Sequence, residues 1–419
     1  MAFSCLRHMR FWSALLGLAL LAQVPRGRAD TASPVEPFRA RIAQADTIRT
    51  SDHLRFVDMM AEFHRDAATM TAGEKWYLRF LDGWEANYEG RFPEAEAILR
   101  DVMTHGDDDG LATRATAMLM NNLTDQGKYA EAYAMATRAA DTLPDVTDPV
   151  ARFVLVANLS QMMTFAGEPE LGLKYADMML QATPTGQSPC QAMAQKVVAL
   201  EGARLLTSQS PELMKAINFC DEDRQPIFAN AVALILVDRL VDEQRFTDAL
   251  ALIRRVTPAV EASQYFAHII DLKSALARIY EKMGNDAEAR KAASEVVALA
   301  HPGDVNEALR SAYRVLYAIE KARGHRSLAL DYYERYVIQD QGYLRDANVR
   351  NAAYEAASQH FRAEKLETEG LSKENRILRL QQALDAKAVE TSRLYIVVMF
   401  LILLSIIFWM VRIKRSQLR

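Results

Sequence analysis

The chain has 419 residues, half of them apolar, and 54 acidic side chains against 50 basic ones leave a net charge of −4. So even a balance advertises no basic face for nucleic acid or anionic lipid. Only three cysteines are present and none form Cys-x-x-Cys, which argues against a redox-active role. The N-terminus carries Arg7 and Arg10 ahead of an apolar run over 11–22, 12 residues and too short to span a bilayer. Gly27-Arg28-Ala29 then puts small residues where a signal peptidase reads, so a signal peptide over 1–29 with cleavage after Ala29 is expected. An uncleaved N-terminal anchor is the alternative.

Residues 30–341 show self-similarity at about 40 residues. A turn residue, often glycine, precedes a helix start with alanine at a fixed offset. The copies read GRFPEAEAIL at Gly90, GKYAEAYAMA at Gly127, GEPELGLKYA at Gly167, QRFTDALALI at Gln244, GNDAEARKAA at Gly284 and GHRSLALDYY at Gly324, with a weaker TSQSPELMKAI near Ser208. Each follows a segment with helical apolar period, such as LKSALARIYEKM before Gly284. The pattern predicts seven helical hairpins between Trp76 and Tyr336, behind a capping helix over 51–66. Glycine ends the first helix of each pair in the left-handed region, and alanine five residues later marks a close helix crossing. No single pair buries its apolar face, so neighbours must stack into an all-α solenoid. Strand signals are missing.

These phrases resemble tetratricopeptide repeats, and LARIYEKMGNDAEA (276–289) is the best copy. The period is nearer 40 than the usual 34, and the Trp, Leu-Gly and Pro positions are mostly unfilled. The resemblance implies a concave face built from the first helix of each pair. Counting back from each turn puts Tyr77, Phe80 and Trp84 there in the first repeat, Asn121 and Thr124 in the second, Asn158 and Gln161 in the third. Asp238, Arg278 and Arg314 follow in later repeats. In peptide-binding members of the family, asparagines matching Asn121 and Asn158 hold a peptide main chain or terminal carboxylate, a task suited to a side chain that both donates and accepts. Ala117 stands where the family's clamp has lysine, so hydrogen bonding along the helix surface is the competing role. Tyr77, Phe80 and Trp84 either line a ligand groove or pack the capping helix.

Cys190 and Cys220 flank one predicted hairpin, and in an oxidising compartment a disulfide is expected over two free thiols. Catalytic constellations are missing from the sequence: no nucleophile elbow, phosphate loop, His-Glu-x-x-His or Gly-x-Gly-x-x-Gly. The eight histidines are scattered, and the run Asp107-Asp108-Asp109-Gly110 lacks the alternation and closing glutamate of a calcium loop. Asp221-Glu222-Asp223 is likewise read as a solvated loop. No cofactor, metal or nucleic-acid partner is implied.

After Pro302 the chain contains no further proline. The connector over 342–393 holds ENRILRLQQALDAKAVETSRL, where Ile377, Leu380, Leu384, Thr391 and Leu394 alternate spacings of three and four with a gap at Lys387. That is a coiled-coil seam of about three heptads and points to a parallel homodimer. A lone amphipathic helix lying on the solenoid is the alternative. Residues 394–411 carry no charge, and 18 residues make a helix of about 27 Å, enough to cross a hydrocarbon core. The tail over 412–419 holds Arg412, Lys414, Arg415 and Arg419, so it is expected in the cytoplasm with the solenoid outside.

The order of signal peptide, divergent repeats, helical connector, one span and basic tail is similar to the sensory half of bacterial transmembrane diguanylate cyclases, and to some sensor histidine kinases. The segment SAYRVLYAIEKARGHRSLALDYYERYV and the helix after it carry this likeness. The resemblance implies a single-pass receptor of the bacterial inner membrane that binds a peptide or protein in the periplasm and signals through a dimeric helix, with cyclic di-GMP synthesis as output. No GGDEF-like motif or phospho-acceptor region is present in these residues, so no catalytic residue is carried over. This fits the sensory portion of a longer protein or a receptor acting through a partner. The competing expectation is a membrane-tethered scaffold for envelope proteins with no signal crossing.

Overall fold

Where one helix of a pair must reverse into the next, the chain needs a residue with positive φ. Gly127 supplies it at +71°, and the Lys128 N–H then reaches back to the Leu123 carbonyl at 2.8 Å, closing the end of its helix. Arg204 and Gln244 hold the equivalent turns in the middle of the chain with φ of +57° and +60°, although both carry a Cβ. The repeat without glycine at Gln244 therefore adopts the geometry of the others. The computed structural model describes residues 38–417 apart from 107 and 301–303. The expected signal peptide lies outside the described residues.

Seven pairs follow one another: α3 (Ala72–Tyr88) with α4 (Phe92–His105), α5 (Asp109–Asp125) with α6 (Tyr129–Thr142), α7 (Pro149–Phe165) with α8 (Pro169–Gln181) and α9 (Cys190–Gly202) with α10 (Pro211–Glu222). The last three are α11 (Pro226–Asp242) with α12 (Phe246–Ser263), α13 (Phe266–Lys282) with α14 (Asp286–Leu299), and α15 (Glu307–Ala322) with α16 (Arg326–Gln417). First helices pack on the first helices of both neighbouring pairs, and second helices sit outside them. The alanines five residues past each turn are shut into these crossings: Ala95, Ala132, Ala249 and Ala289 have no exposed surface. In the third pair the residue is Gly172, and even a methyl group there would stand 2.1 Å from the Thr164 hydroxyl oxygen. The fold is thus an all-α, tetratricopeptide-like solenoid continuing into a long helix.

Two helices precede the first pair. The capping helix is α2 (His53–Asp66), which buries Phe56, Met60 and Phe63. Before it lies α1 (Arg39–Ile48), with only Ile42 and Ala45 buried. It is held by polar contacts. The fully buried Glu74 carboxylate accepts from the Phe38 and Arg39 N–H groups at 2.6 and 2.9 Å, and from the Thr71 N–H at 2.9 Å. One carboxylate therefore caps α1 and α3 together. Burial would raise its pKa, but these N–H donors hold it below the ordinary value.

The superhelix returns on itself. Tyr88 at the end of α3 donates its hydroxyl to the Ser263 carbonyl at 2.9 Å and packs its ring on Tyr265. More extensive is the return of α16. From the last pair this helix runs without a break onto α6, where α6 and α7 touch only sparsely. Ala353, Tyr354 and Ala357 join the apolar core of the first three repeats, with the Tyr354 ring edge-on to Tyr133. Asn351 donates to the Ala166 carbonyl at 2.9 Å, Tyr129 donates to Asp346, and Lys365 pairs with Asp141 at 2.6 Å. The helix does not pause at Gly342, where the sequence suggests the connector begins. Its first part packs on the repeats, and from Arg362 to Lys414 the side chains are exposed in one copy, with Lys365 still reaching back to Asp141. Among the described residues, this is the one helix long and apolar enough to cross a membrane.

Candidate functional site

The inner face encloses a cavity of about 1010 Å³ at its N-terminal end. Its walls are α1, the turn after it, the beginnings of α5 and α7, one side of α3, the loop over 186–191 and the start of α11. The first helices of successive pairs aim their N-termini into it, so their capping carboxylates are at its rim. Asp108 accepts from the Leu111 N–H at 3.0 Å and Asp148 from the Ala151 N–H at 2.6 Å. Arg39 pairs with Asp108 at 3.3 Å. Phe153, Val154 and Phe228 supply apolar wall.

The opposite wall is cationic. Arg114 of α5 is 7% exposed and donates Nη2 to Asp46 Oδ2 of α1 at 2.5 Å. Its guanidinium carbon lies 4.5 Å from the Phe80 ring centroid and 5.6 Å from that of Tyr77. Arg49 pairs with the same aspartate and stands 5.2 Å over the ring of Trp84. Burial, and then the neighbouring positive charge of Arg114, lower the Arg49 guanidinium to about 9. The Nε atoms of both arginines are buried without a hydrogen-bond partner among the described residues. Tyr77 completes the group by donating its hydroxyl to Asp46 Oδ2 at 2.7 Å.

The residues expected on the concave face divide by position. Tyr77 and Trp84 line the cavity. Phe80 does not; it is fully buried, because Arg114 lies over its ring. Asn121 and Asn158 lie outside the cavity and spend themselves on each other. The Asn121 amide donates to Asn158, which in turn donates to the Val154 carbonyl at 2.7 Å. Gln161 is half-buried further along α7. In later repeats Arg278 pairs with Asp238, and Arg314 with Glu281 at 2.7 Å. These polar residues thus bridge successive first helices. Cys190 and Cys220 are buried and bonded to each other, tying α9 to α10. Among the described residues no cluster of His, Cys, Asp or Glu could hold a metal ion.

Asp46, Arg49 and Arg114 were absent from the sequence-based expectations. A signal existed for Arg114, which lies two turns before Asn121 on the same helix stripe. Nothing comparable marked Asp46 and Arg49, since α1 has almost no apolar pattern.

No protein-family model and no curated protein matches the sequence. Solved helical-repeat proteins are similar in architecture. One is a tetratricopeptide repeat protein from Parabacteroides merdae (16% identity, TM-score 0.40, covering 66% of this chain and 98% of that one). Another is a Rap protein complexed with competence and sporulation factor (13%, TM-score 0.49, 75% and 99%). A third is NprR in complex with its cognate peptide NprX (12%, TM-score 0.44, 66% and 87%).

Proposed function

We propose that this chain is a membrane-anchored receptor. Its solenoid takes a peptide or a segment of a partner protein into the cavity beside α1, and α16 passes the occupied state toward the membrane. The observation that carries this is the course of α16. One unbroken helix leaves the last repeat, packs on α6 behind the cavity-lining α5, and continues into the apolar segment. A change in the spacing of α5 and α6 therefore acts directly on the helix that meets the bilayer. The ligand must bind one arrangement of α16 better than the other, since equal affinity shifts nothing.

The seam at Ile377, Leu380, Leu384 and Leu394 is exposed in one copy and supports pairing of two copies in parallel. The basic residues after the apolar segment support a cytoplasmic C-terminal side and a periplasmic solenoid. By the resemblance of the connector, the output across the membrane is cyclic di-GMP synthesis.

The test uses the full chain in lipid nanodiscs and a mixture of random free-acid hexapeptides as probe. Hydrogen exchange over 342–361 should change when the probe binds. Disulfide cross-linking of a Leu380→Cys variant should change with it. Binding with both readouts unmoved would reduce the protein to a tethered scaffold.

A further inference from the structure

We infer that Arg49 and Arg114 form a receptor for a carboxylate, either the C-terminus of a bound peptide or the acid group of a small organic acid. The inference rests on the cavity being the ligand site and names the chemistry at one end of it. Two guanidinium groups face a single carboxylate, so the trio Asp46, Arg49 and Arg114 carries one positive charge in excess. Ten N–H donors meet few acceptors, because an arginine has five each. Asp46 Oδ2 accepts from Arg114, Asp46 Oδ1 forms an ion pair with Arg49 but no hydrogen bond, the Asp46 carbonyl accepts from Arg49 at 3.1 Å, and Tyr77 Oη lies 3.5 Å from Arg114 Nη1. The Nε of each arginine is left buried and unpartnered among the described residues. Buried, uncompensated donors of this kind are costly unless something fills the place.

The geometry is also prearranged. The Phe80 and Trp84 rings lie 4.5 and 5.2 Å from the guanidinium carbons of Arg114 and Arg49, which restricts both side chains before any ligand enters. A carboxylate matches such a fork and brings the single negative charge that the trio lacks. A dianionic phosphate fits less well, because Asp108, Asp148 and Asp223 also line the cavity and would repel the second charge.

The experiment uses the full chain in nanodiscs, equilibrium dialysis and mass spectrometric quantitation. Three probes are compared: random hexapeptides as free acids, the same peptides with amidated C-termini, and a panel of small organic acids including succinate and N-acetylglycine. The free-acid peptides should bind at least tenfold more tightly than the amides. Arg49→Gln and Arg114→Gln should each remove that difference while circular dichroism stays helical. Arg114 is buried, so a third variant guards against misfolding. Asp46→Asn leaves both cations unpaired and should melt lower than wild type, and added free-acid peptide should raise its melting temperature more than it raises that of wild type. Equal binding of acid and amide peptides overturns the carboxylate proposal and leaves the peptide reading standing. Binding of small acids alone, lost in both arginine variants, keeps the carboxylate site and removes the peptide. Binding of nothing removes both.

Discussion

Residues 39–361 and 362–417 are helical for different reasons. In the first region each helix before α16 has 10 to 18 residues, a length at which an isolated helix is marginal in water. Apart from α1, which polar contacts hold, those helices stand because they close their crossings on buried apolar side chains of their neighbours. The second region is the rest of one long helix, and its large apolar side chains from Leu366 to Val411 are exposed. Leu380 is 58% exposed, Leu384 66% and Leu394 65%. Identical backbone geometry thus rests on packing inside one copy in the first case. In the second, on the proposed reading, a partner helix or lipid supplies the packing. Mutations should separate the two regions cleanly.

The largest expected effect lies at the tightest crossing of the packed region. Gly172→Val would put a Cβ 2.1 Å from the Thr164 hydroxyl and 2.9 Å from the Ser160 carbonyl oxygen, which is backbone and cannot swing away. A loss of about 3 kcal/mol is expected, read as a lower urea midpoint of the solenoid. A midpoint within error of wild type would mean that the third pair is looser than its geometry.

Glu74→Gln comes next. Removing the charge that caps α1 and α3 should cost about 2 kcal/mol and expose the amides of α1 to fast hydrogen exchange. The pH dependence has a definite sign. Because the folded carboxyl lies below its ordinary value, its contribution is present above the unfolded pKa and is lost as pH falls through the folded one. The variant should lack this loss, and identical acid melting curves would contradict it.

Tyr354→Ala removes the ring that α16 places against Tyr133. A smaller cost of about 1–2 kcal/mol is expected, with faster exchange confined to 342–361 and the α6 surface beneath. The smallest effect belongs to the bare region. Leu380→Glu should leave the urea midpoint within about 0.5 kcal/mol of wild type, yet abolish self-association measured by sedimentation in detergent. A large drop in solenoid stability would show that the seam packs on its own chain.

Much of this division is written in the sequence. Gly90, Gly127, Gly167, Gly284 and Gly324 mark the turns directly, and Gln244 could be placed because Ala249 keeps the offset. Those signals are strong because left-handed backbone and close crossings each admit few residue types. The cavity was harder to see. Its cationic wall depends on α1, where Glu74 and Arg114 do the holding that an apolar stripe does elsewhere, and polar contacts between residues 35 or more apart leave no periodicity. Asn121 and Asn158 were expected on the concave face as ligand contacts, and the structure pairs them with one another. Register alone does not reveal that neighbouring repeats would claim both amides. The return of α16 onto α6 was legible only as the alternative of a helix lying on the solenoid, and its place on α6 was not, since an alanine-rich stretch such as NAAYEAAS reads as any helix surface.

The bare part of α16 also sets a distance. The 32 residues over 362–393 rise roughly 48 Å as a straight helix before the apolar segment begins. Once that segment is seated in a bilayer, the cavity is held on a stalk well clear of the lipid headgroups. A ligand tethered to the same bilayer would need at least about 15 extended residues to climb that height. On the proposed receptor reading, the stalk acts as a ruler that favours freely diffusing ligands, or long-armed ones, over anything lying close to the lipid.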